Sequence, residues 1–522
     1  MGYGDHDASH ATVWATGRDG GTAYRLSAGY DRWPRWSREI PSGRADVHLF
    51  TGDQDTAQRT VRLDATITRQ LGASATAGLR AGYNQGSFEL LAIGPINDHI
   101  LSPVQTSDLA LFLESKHVVL HAFWNRIDVV EGNNAAYLGQ SLLPARALTD
   151  VVDGEAQVVE QFESGRGVQH DLHVGAAYRL KAVEWTYQSQ SQAEQHAGLF
   201  VHDEMKVGPR VALVGDYRAD YVPYLNRVVQ SARGSLLFHP SKRSTLRAMV
   251  GSAFRTPTLL EAYLGIPVQL RVAGAALVSE GVRSDQRSFR LEPEQIITTE
   301  IGYLNSESDF FTLDGALFYD RASNLIELAP NRAITIGDVV GSPQATTPSP
   351  STGLYPFFLG GFENQCQTYD VVGAELGMRT FPVEGLDVYA NYTLMAVKQN
   401  DERCRAEQLA LIANDSRTSA HKLNAGVQVR SRVGLEGSLD FHYVSPQSWA
   451  EQVEDVQKQR IEYQSFRVDA YALLNARIAY RFLHNQAEVS GVVFNLLDDR
   501  HREHPFGQVV GRRGMGFLSL RF

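Results

Sequence analysis

The sequence contains little cysteine and no long apolar run. Only two of its 522 residues are cysteines, so a disulfide scaffold and a multi-cysteine zinc site are excluded, while one bridge is still possible. Its apolar stretches are all shorter than the roughly 18 residues that a membrane-spanning helix needs. We therefore predict no transmembrane helix.

The chain also lacks an excess of positive charge, a leader and a catalytic motif. With 49 basic and 59 acidic residues its net charge is -10, so we expect no nucleic-acid partner. The first ten residues, MGYGDHDASH, have no basic region followed by an apolar one and do not form a signal peptide. A Gly-x-Ser-x-Gly elbow, a Walker loop and a His-Glu-x-x-His motif are all absent from the sequence. We predict neither an enzyme nor a bound cofactor.

Alternation of apolar and polar residues is the strongest pattern in the chain. It recurs in residues 60–69, 210–221 and 310–320, and a period of two is typical of a β-strand with two different faces. The polar stripes would place charged side chains on one common face: Arg62, Arg80, Arg210, Arg218, Arg247, Glu300 and Arg477.

Short turns alternate with longer connections along the chain. The ten short turns are expected at residues 17–21, 71–73, 116–117, 180–182, 207–209, 240–242, 305–308, 382–385, 431–433 and 483–486. Eight of the other connections are long: about 33–57, 87–105, 129–165, 256–294, 329–364, 399–416, 446–465 and 499–512. Two shorter connections lie near residues 190 and 223. This layout is typical of an outer-membrane barrel, with short turns in the periplasm and long loops outside.

The strand count follows from these turns. Ten turns join twenty strands, residues 513–522 add one, and a stub before Asp7 adds another. We therefore predict an all-β fold, a 22-stranded antiparallel transmembrane β-barrel whose first strand is truncated. Apolar stripes would face lipid, and aromatic residues near the strand ends would lie at the membrane interfaces: Tyr83, Tyr221, Tyr443, Tyr480 and Phe482.

Four segments resemble the barrel domain of TonB-dependent outer-membrane receptors. They are residues 197–207 (AGLFVHDEMKV), 254–263 (FRTPTLLEAY), 291–303 (LEPEQIITTEIGY) and 495–522, which end on an aromatic residue. The residues that carry the family's motifs are Arg255, Pro257, Glu294, Glu300, Gly302, Asn495 and Phe522.

The resemblance covers residues 1–522 as one barrel domain in the outer membrane of a Gram-negative bacterium. It implies uptake of a large, scarce nutrient, such as a ferric siderophore or a cobalamin-like chelate. Expected partners are outer-membrane lipid, the extracellular ligand, the barrel-assembly machinery, and the TonB complex through a plug domain. Nothing in the sequence resembles that plug or a signal peptide. The alternatives are a passive diffusion channel and a surface adhesin or phage receptor.

Two expectations follow from the missing plug. The weakest seam of the barrel would lie between residues 8–18 and 513–522, because the strand between them is only a stub. The chain by itself would leak as a wide pore or fail to insert, and it would show no TonB-dependent uptake.

Aromatic and arginine side chains in the long loops are the candidate ligand contacts, because such residues dominate binding hot spots. They are Trp36, Tyr137, Arg271, Tyr355, Phe357, Phe358 and Trp449. His501 and His504 could bind a metal or haem iron. Because they lie within the family's ordinary closing segment, we expect no metal site there.

The two cysteines both fall at the expected outer rim. Cys366 precedes a descending strand and Cys404 lies in the next outer loop. Because that side of an outer membrane is oxidising, we predict a disulfide between them.

The resemblance also implies that Phe522 is recognised by the barrel-assembly machinery. Deletion of Phe522 is expected to lower insertion into the outer membrane, measured as the heat-modifiable fraction in membrane extracts. Substitution of its neighbour Arg521, which alternation places in the lumen, is the control and should leave insertion unchanged. Equal insertion of the wild type and the Phe522 deletion would contradict the assignment.

Overall fold

The structure is a computed structural model. It describes residues 1–37, 56–90, 99–131, 136–137, 140–141, 146–165, 167–186, 188, 191–263, 265–272, 275–283, 291–328, 362–404, 417–455 and 460–522. No helix in these residues is long and apolar enough to cross a membrane.

Twenty-two strands form one sheet. The first eleven are β1 (Gly2–Gly4), β2 (Ser9–Asp19), β3 (Thr22–Pro34), β4 (Thr56–Leu71), β5 (Ala75–Leu90), β6 (His99–Ser115), β7 (Val118–Glu131), β8 (Arg146–Ser164), β9 (Val168–Trp185), β10 (Gln192–Val207) and β11 (Val211–Val222). The others are β12 (Arg227–Ser241), β13 (Ser244–Arg255), β14 (Glu294–Ser308), β15 (Phe311–Ser323), β16 (Thr368–Val383), β17 (Leu386–Asn400), β18 (His421–Arg430), β19 (Leu435–Val444), β20 (Tyr471–Phe482), β21 (Ala487–Phe494) and β22 (Arg513–Leu520).

Each strand pairs antiparallel with the next one in the chain, and β1 pairs with β22 to close the barrel. The predicted strand number, topology and truncated first strand are confirmed. Short additional hairpins lie in the outer connections: Ala136–Tyr137 with Gln140–Ser141, Gly265–Val272 with Ala275–Arg283, Ile326–Leu328 with Phe362–Asn364, and Gln447–Asp455 with Arg460–Val468. A 3-10 helix (Asp5–Asp7) follows β1, and a short helix, α1 (Leu259–Tyr263), follows β13.

One predicted turn is wrong. Strand β9 runs without interruption through residues 180–182, and β8 ends at Ser164 while β9 begins at Val168, so the tight turn lies between them, where Gly167 has a φ of 72° that favours glycine. Much of the long loop expected at 129–165 is therefore strand β8. Its outer end lacks an apolar stripe because Asp150 lies there and accepts hydrogen bonds from Arg126 of β7 at 2.9 and 2.8 Å. One turn replaces another, so the strand count is unchanged.

The two faces of the wall differ as the alternation predicts. Large apolar side chains such as Leu63, Leu199, Leu317 and Ile478 are exposed on the outside of the barrel. A water-facing sheet would not place so many apolar side chains on one continuous surface, whereas lipid accepts them.

Most of the predicted lumenal arginines are paired with carboxylates. Each of the following arginines lies within ion-pair distance of a carboxylate on the same face: Arg62 with Asp31 at 2.7 Å, Arg80 with Asp64 at 3.8 Å, Arg218 with Asp220 at 2.8 Å, Arg247 with Glu300 at 2.7 Å and Arg477 with Glu488 at 2.6 Å. Arg210 is the exception, because it lies in the turn before β11 and not in the wall.

The closing seam has the shortest pairing in the described wall. Strand β1 pairs with β2 at Gly2 and Tyr3, and with β22 at Gly2, Tyr3 and Gly4. The backbone N–H of Leu518 also donates to the Met1 carbonyl at 2.8 Å. This is the seam between residues 8–18 and 513–522 that sequence analysis expects to be weakest, and its strength stays a prediction.

The two faces can be tested on β14 with a matched pair of substitutions. Ile301 lies at the middle of the strand, with 65% of its surface exposed on the lipid side, and Thr298 lies on the lumenal side. We expect Ile301→Arg to destabilise the barrel by about 2–4 kcal/mol, the cost of an arginine near the bilayer midplane. Thr298→Arg should cost much less in the same urea unfolding experiment in vesicles. Equal losses would contradict the assigned faces.

Candidate functional site

Arg255 organises the outer end of β13. Its guanidinium donates two hydrogen bonds of 2.9 Å to the carboxylate of Glu261 and two further bonds, at 2.6 and 2.5 Å, to that of Glu294. Glu294 also accepts the backbone N–H of Ile326 at 2.8 Å. One side chain thus joins β13, α1, β14 and the start of the following outer hairpin.

The segment that follows Arg255 forms a helix cap. The Thr258 hydroxyl accepts the backbone N–H of Glu261 at 3.1 Å, and the Glu261 carboxylate accepts that of Thr258 at 2.7 Å. This reciprocal arrangement is a capping box, and Pro257 stands immediately before it. The motif FRTPTLLEAY therefore builds a fixed corner where the chain leaves the barrel wall.

Helix α1 is held by side chains of the neighbouring wall. The Gln188 amide donates to the Leu259 carbonyl at 3.1 Å, and the Tyr263 hydroxyl donates to Glu194 at 3.3 Å. Tyr224 accepts the backbone N–H of Leu291 at 3.1 Å. Both ends of the 256–293 connection are thereby anchored to the wall.

Glu300 and Gly302 are two residues apart on β14, so both face the lumen and both lie beside Arg247. The Arg247 guanidinium donates a hydrogen bond to the Glu300 carboxylate at 2.7 Å. A Cβ at position 302 would lie only 2.5 Å from Arg247 Cζ, so a side chain there would displace the ion pair. The glycine gives the arginine room to reach Glu300.

Trp36 lies at the outer rim beside the last strand. The guanidinium of Arg513 lies 4.0 Å from the centre of its ring, and the backbone N–H of Trp36 donates to Gln508. Arg513 also donates to the Pro34 carbonyl at 3.0 Å. Trp36 remains exposed, whereas Arg513 is buried, so the pair presents an accessible aromatic ring that is held from behind by the guanidinium.

Trp449 lies in a small aromatic cluster of the outer loops. Its ring centre lies 4.5 Å from that of His504 and 5.7 Å from the Arg417 guanidinium. Phe506, which is almost fully buried, packs between His504 and Phe466 at centroid distances of 5.4 Å. The closing segment thus has a core of its own, and Trp449 lies at its edge.

The two histidines of that segment point to different partners. His501 stacks on Tyr471 at 4.1 Å and its Nδ1 lies 2.6 Å from the Asp499 carbonyl, whereas His504 accepts the Phe506 N–H at 3.1 Å. Within the described ranges, no group of three or more His, Cys, Asp or Glu side chains could hold a metal ion. Their present contacts stabilise the loop.

Asn495 begins the closing segment with a φ of 51°, a conformation that asparagine tolerates better than most residues. Its side chain bonds both the N–H and the carbonyl of Asp499, at 3.1 and 3.0 Å, and is almost fully buried. Among the other predicted residues, Tyr137 and Arg271 lie in short outer hairpins whose side chains are outside the described part, and Tyr355, Phe357 and Phe358 lie outside the described residues altogether.

The family model of the TonB dependent receptor-like beta-barrel matches residues 2–496. The chain belongs to this family. It is accordingly an outer-membrane barrel, and its family and fold are those of transport receptors. Arg255, Pro257, Glu294 and Asn495 shape the outer ends of strands, whereas Glu300 and Gly302 lie in the lumenal wall beside Arg247.

Solved structures of this family share the fold. The siderophore receptor PirA from Acinetobacter baumannii superimposes with a TM-score of 0.73 at 12% identity, over 100% of this chain and 80% of that one. The FrpB iron transporter from Neisseria meningitidis (F3-3 variant) gives 0.68 at 12%, over 99% and 80%. The copper transporter OprC gives 0.68 at 13%, over 100% and 79%. No curated protein matches the chain in sequence.

The predicted disulfide is confirmed. Cys366 and Cys404 are bonded, with their Cα atoms 5.1 Å apart, and they join the start of β16 to the connection after β17. The bridge lies just beyond the outermost strand pair, Thr368 with Asn400, and extends the link between β16 and β17 into the outer connection.

Replacement of both cysteines by serine tests what this bridge contributes. The bridge spans 38 residues, and loop entropy predicts a loss of about 3–4 kcal/mol in the free energy of unfolding. The loss is measured by unfolding three samples in guanidinium chloride: oxidised wild type, reduced wild type and the double variant. The reduced wild type should match the variant, and identical midpoints in all three samples would refute the stabilisation.

Proposed function

We propose that this barrel takes up a large, scarce nutrient in chelated form, with a ferric siderophore as the first candidate and a cobalamin-like chelate as the second. Outer loops capture the chelate, and it passes through the lumen when the TonB complex supplies energy through a plug domain. Outer-membrane lipid surrounds the wall, and the barrel-assembly machinery inserts it.

The pairing of tryptophan with arginine at the outer rim carries this proposal. Trp36 with Arg513, and Trp449 with Arg417, each place a guanidinium against an aromatic ring. Many metal chelates are anionic and carry planar groups. Exposed aromatic rings suit such a ligand because they provide contact area. At the second pair, Arg417, whose side chain is 43% exposed, adds a cation and hydrogen-bond donors.

The names of the similar structures support the general class of cargo. They include a siderophore receptor, an iron transporter and a copper transporter. Each of these names refers to a metal or to a siderophore, and their identities of 12–13% leave the chelate of this chain open to experiment.

Substitution of the rim tryptophans tests the proposal. We expect Trp36→Ala and Trp449→Ala each to weaken binding of a labelled chelate at least tenfold, because an aromatic side chain that the ligand covers on binding contributes about 2 kcal/mol or more. Trp124→Ala is the matched control, since Trp124 lies on the outside of the wall and bonds Asp150 at 2.9 Å. Equilibrium binding of ⁵⁵Fe-siderophores and labelled cobalamin to outer membranes is measured.

Other outcomes would identify the alternative functions. Unsaturable permeation with a large single-channel conductance would indicate a diffusion channel. Saturable binding without uptake in cells with active TonB would indicate an adhesin or phage receptor. Equal binding by all three tryptophan variants would remove the rim pairs from the site.

A further inference from the structure

Three polar side chains lie in line on the outside of the barrel wall. They are beside the turn that joins β8 to β9. The Ser164 hydroxyl oxygen lies 2.9 Å from Nε2 of His170, and Nδ1 of the same ring lies 2.9 Å from Oδ2 of Asp203 in β10.

For a neutral imidazole, the donors and acceptors in this line follow from the chemistry of the three groups. A carboxylate can only accept hydrogen bonds, so Nδ1 of His170 carries the proton that it donates to Asp203. Nε2 of the neutral ring is then unprotonated and accepts the hydroxyl proton of Ser164. A nucleophile, a base and an orienting carboxylate in this order form the triad of serine hydrolases.

Strand register brings the three residues together. Phe162 pairs with His170, Ser164 with Val168, and Leu172 with Asp203. The even positions of β8 and β9 and the odd positions of β10 share the outer face. Val158, Val174 and Leu199 are exposed on this same face. The triad therefore lies at the periplasmic edge of the apolar band.

Burial is distributed as a reactive site requires. Ser164 is exposed, whereas the side chains of His170 and Asp203 are only 14% and 25% exposed. The Phe162 ring stacks parallel to the imidazole, with centroids 4.7 Å apart, and limits its rotation.

Asp203 is costly at this position. A carboxylate on the lipid side of the wall is disfavoured, and its second oxygen, Oδ1, is buried without a hydrogen-bond partner in the described structure. A purely structural hydrogen bond between two strands would not need a charge there. The arrangement favours a role in which the charge supports an imidazolium.

We propose that Ser164, His170 and Asp203 form a hydrolytic site for acyl esters of membrane lipids at the periplasmic edge of the wall. The ester carbonyls of a lipid lie at the boundary between the headgroups and the chains. The triad lies at the same boundary, between the exposed apolar residues and the periplasmic turn.

The reaction uses lipid and water alone. Ser164 Oγ attacks the ester carbonyl carbon while its proton passes to His170 Nε2, and the new C–O bond forms as the carbonyl π pair moves to oxygen. Collapse breaks the bond to the lipid alkoxide, which takes the proton from His170, and leaves an acyl-serine. Water then attacks the acyl carbon and gives a proton to His170, which returns it to Ser164 as the fatty acid leaves. Ester and water yield fatty acid and lysolipid.

Covalent labelling tests the nucleophile. The folded full chain in vesicles of dioleoylphosphatidylglycerol and dioleoylphosphatidylethanolamine is treated with a fluorophosphonate probe, and the adduct is located by mass spectrometry. We expect an adduct on Ser164 and release of oleic acid, with both abolished in Ser164→Ala. Ser115→Ala is the matched control, because Ser115 also precedes a short turn but bonds the backbone of Val118.

The roles of the other two residues have separate readouts. His170→Ala should slow labelling at least 100-fold. Asp203→Asn keeps the side-chain size but allows the wrong ring tautomer, so labelling should fall at least tenfold while the heat-modifiable band stays, and Asp203→Glu should restore part of the rate. Absence of a Ser164 adduct in the folded wild type would overturn the proposal. An adduct without oleic acid above the Ser164→Ala background would overturn the lipid assignment.

Discussion

Inside a bilayer the peptide backbone has no water to bond, and every N–H and C=O must find a partner within the protein. A sheet satisfies this only when it closes on itself, because each open edge leaves a row of groups unpaired. In this chain closure depends on β1, whose residues Gly2 to Gly4 pair with β22 on one side, while Gly2 and Tyr3 pair with β2 on the other. A Cβ at Gly2 would lie 2.4 Å from the Phe517 ring, so the small residue allows close approach at the seam.

A closed wall has charged groups in two places, the lumen and the outer ends of the strands. They serve a different purpose in each. In the lumen, arginines pair with carboxylates on neighbouring strands, as Arg247 does with Glu300 and with Asp314 at 3.2 Å. At the outer ends the strands extend beyond the lipid, and there Arg255 joins Glu261 and Glu294 to hold the start of an outer connection. The same residue types therefore stiffen the wall in one place and position loops in another.

The fold could be predicted because its signals are local. A period of two along each strand and the alternation of short turns with long connections need no tertiary information. Both signals weaken where a strand leaves the lipid, which is why the sequence predicts a turn at 180–182 and a loop where β8 lies. The disulfide was also predictable, since both cysteines lie at the outer rim. The contact of Trp36 with Arg513 was not, because it crosses the closing seam between residues far apart in sequence.

The line from Ser164 to Asp203 is also a contact between distant residues that the sequence does not predict. Its members are separated by 6 and 33 residues, come from three strands and match no sequence motif of a hydrolase. In a barrel, however, register decides which residues meet, and a shift of one position in either strand would send His170 or Asp203 to the lumen. The pairing of Phe162 with His170 and of Leu172 with Asp203 keeps all three on the lipid face. A receptor wall can therefore hold chemistry on its membrane side that is independent of the cargo in its lumen, because alternation separates the two faces residue by residue.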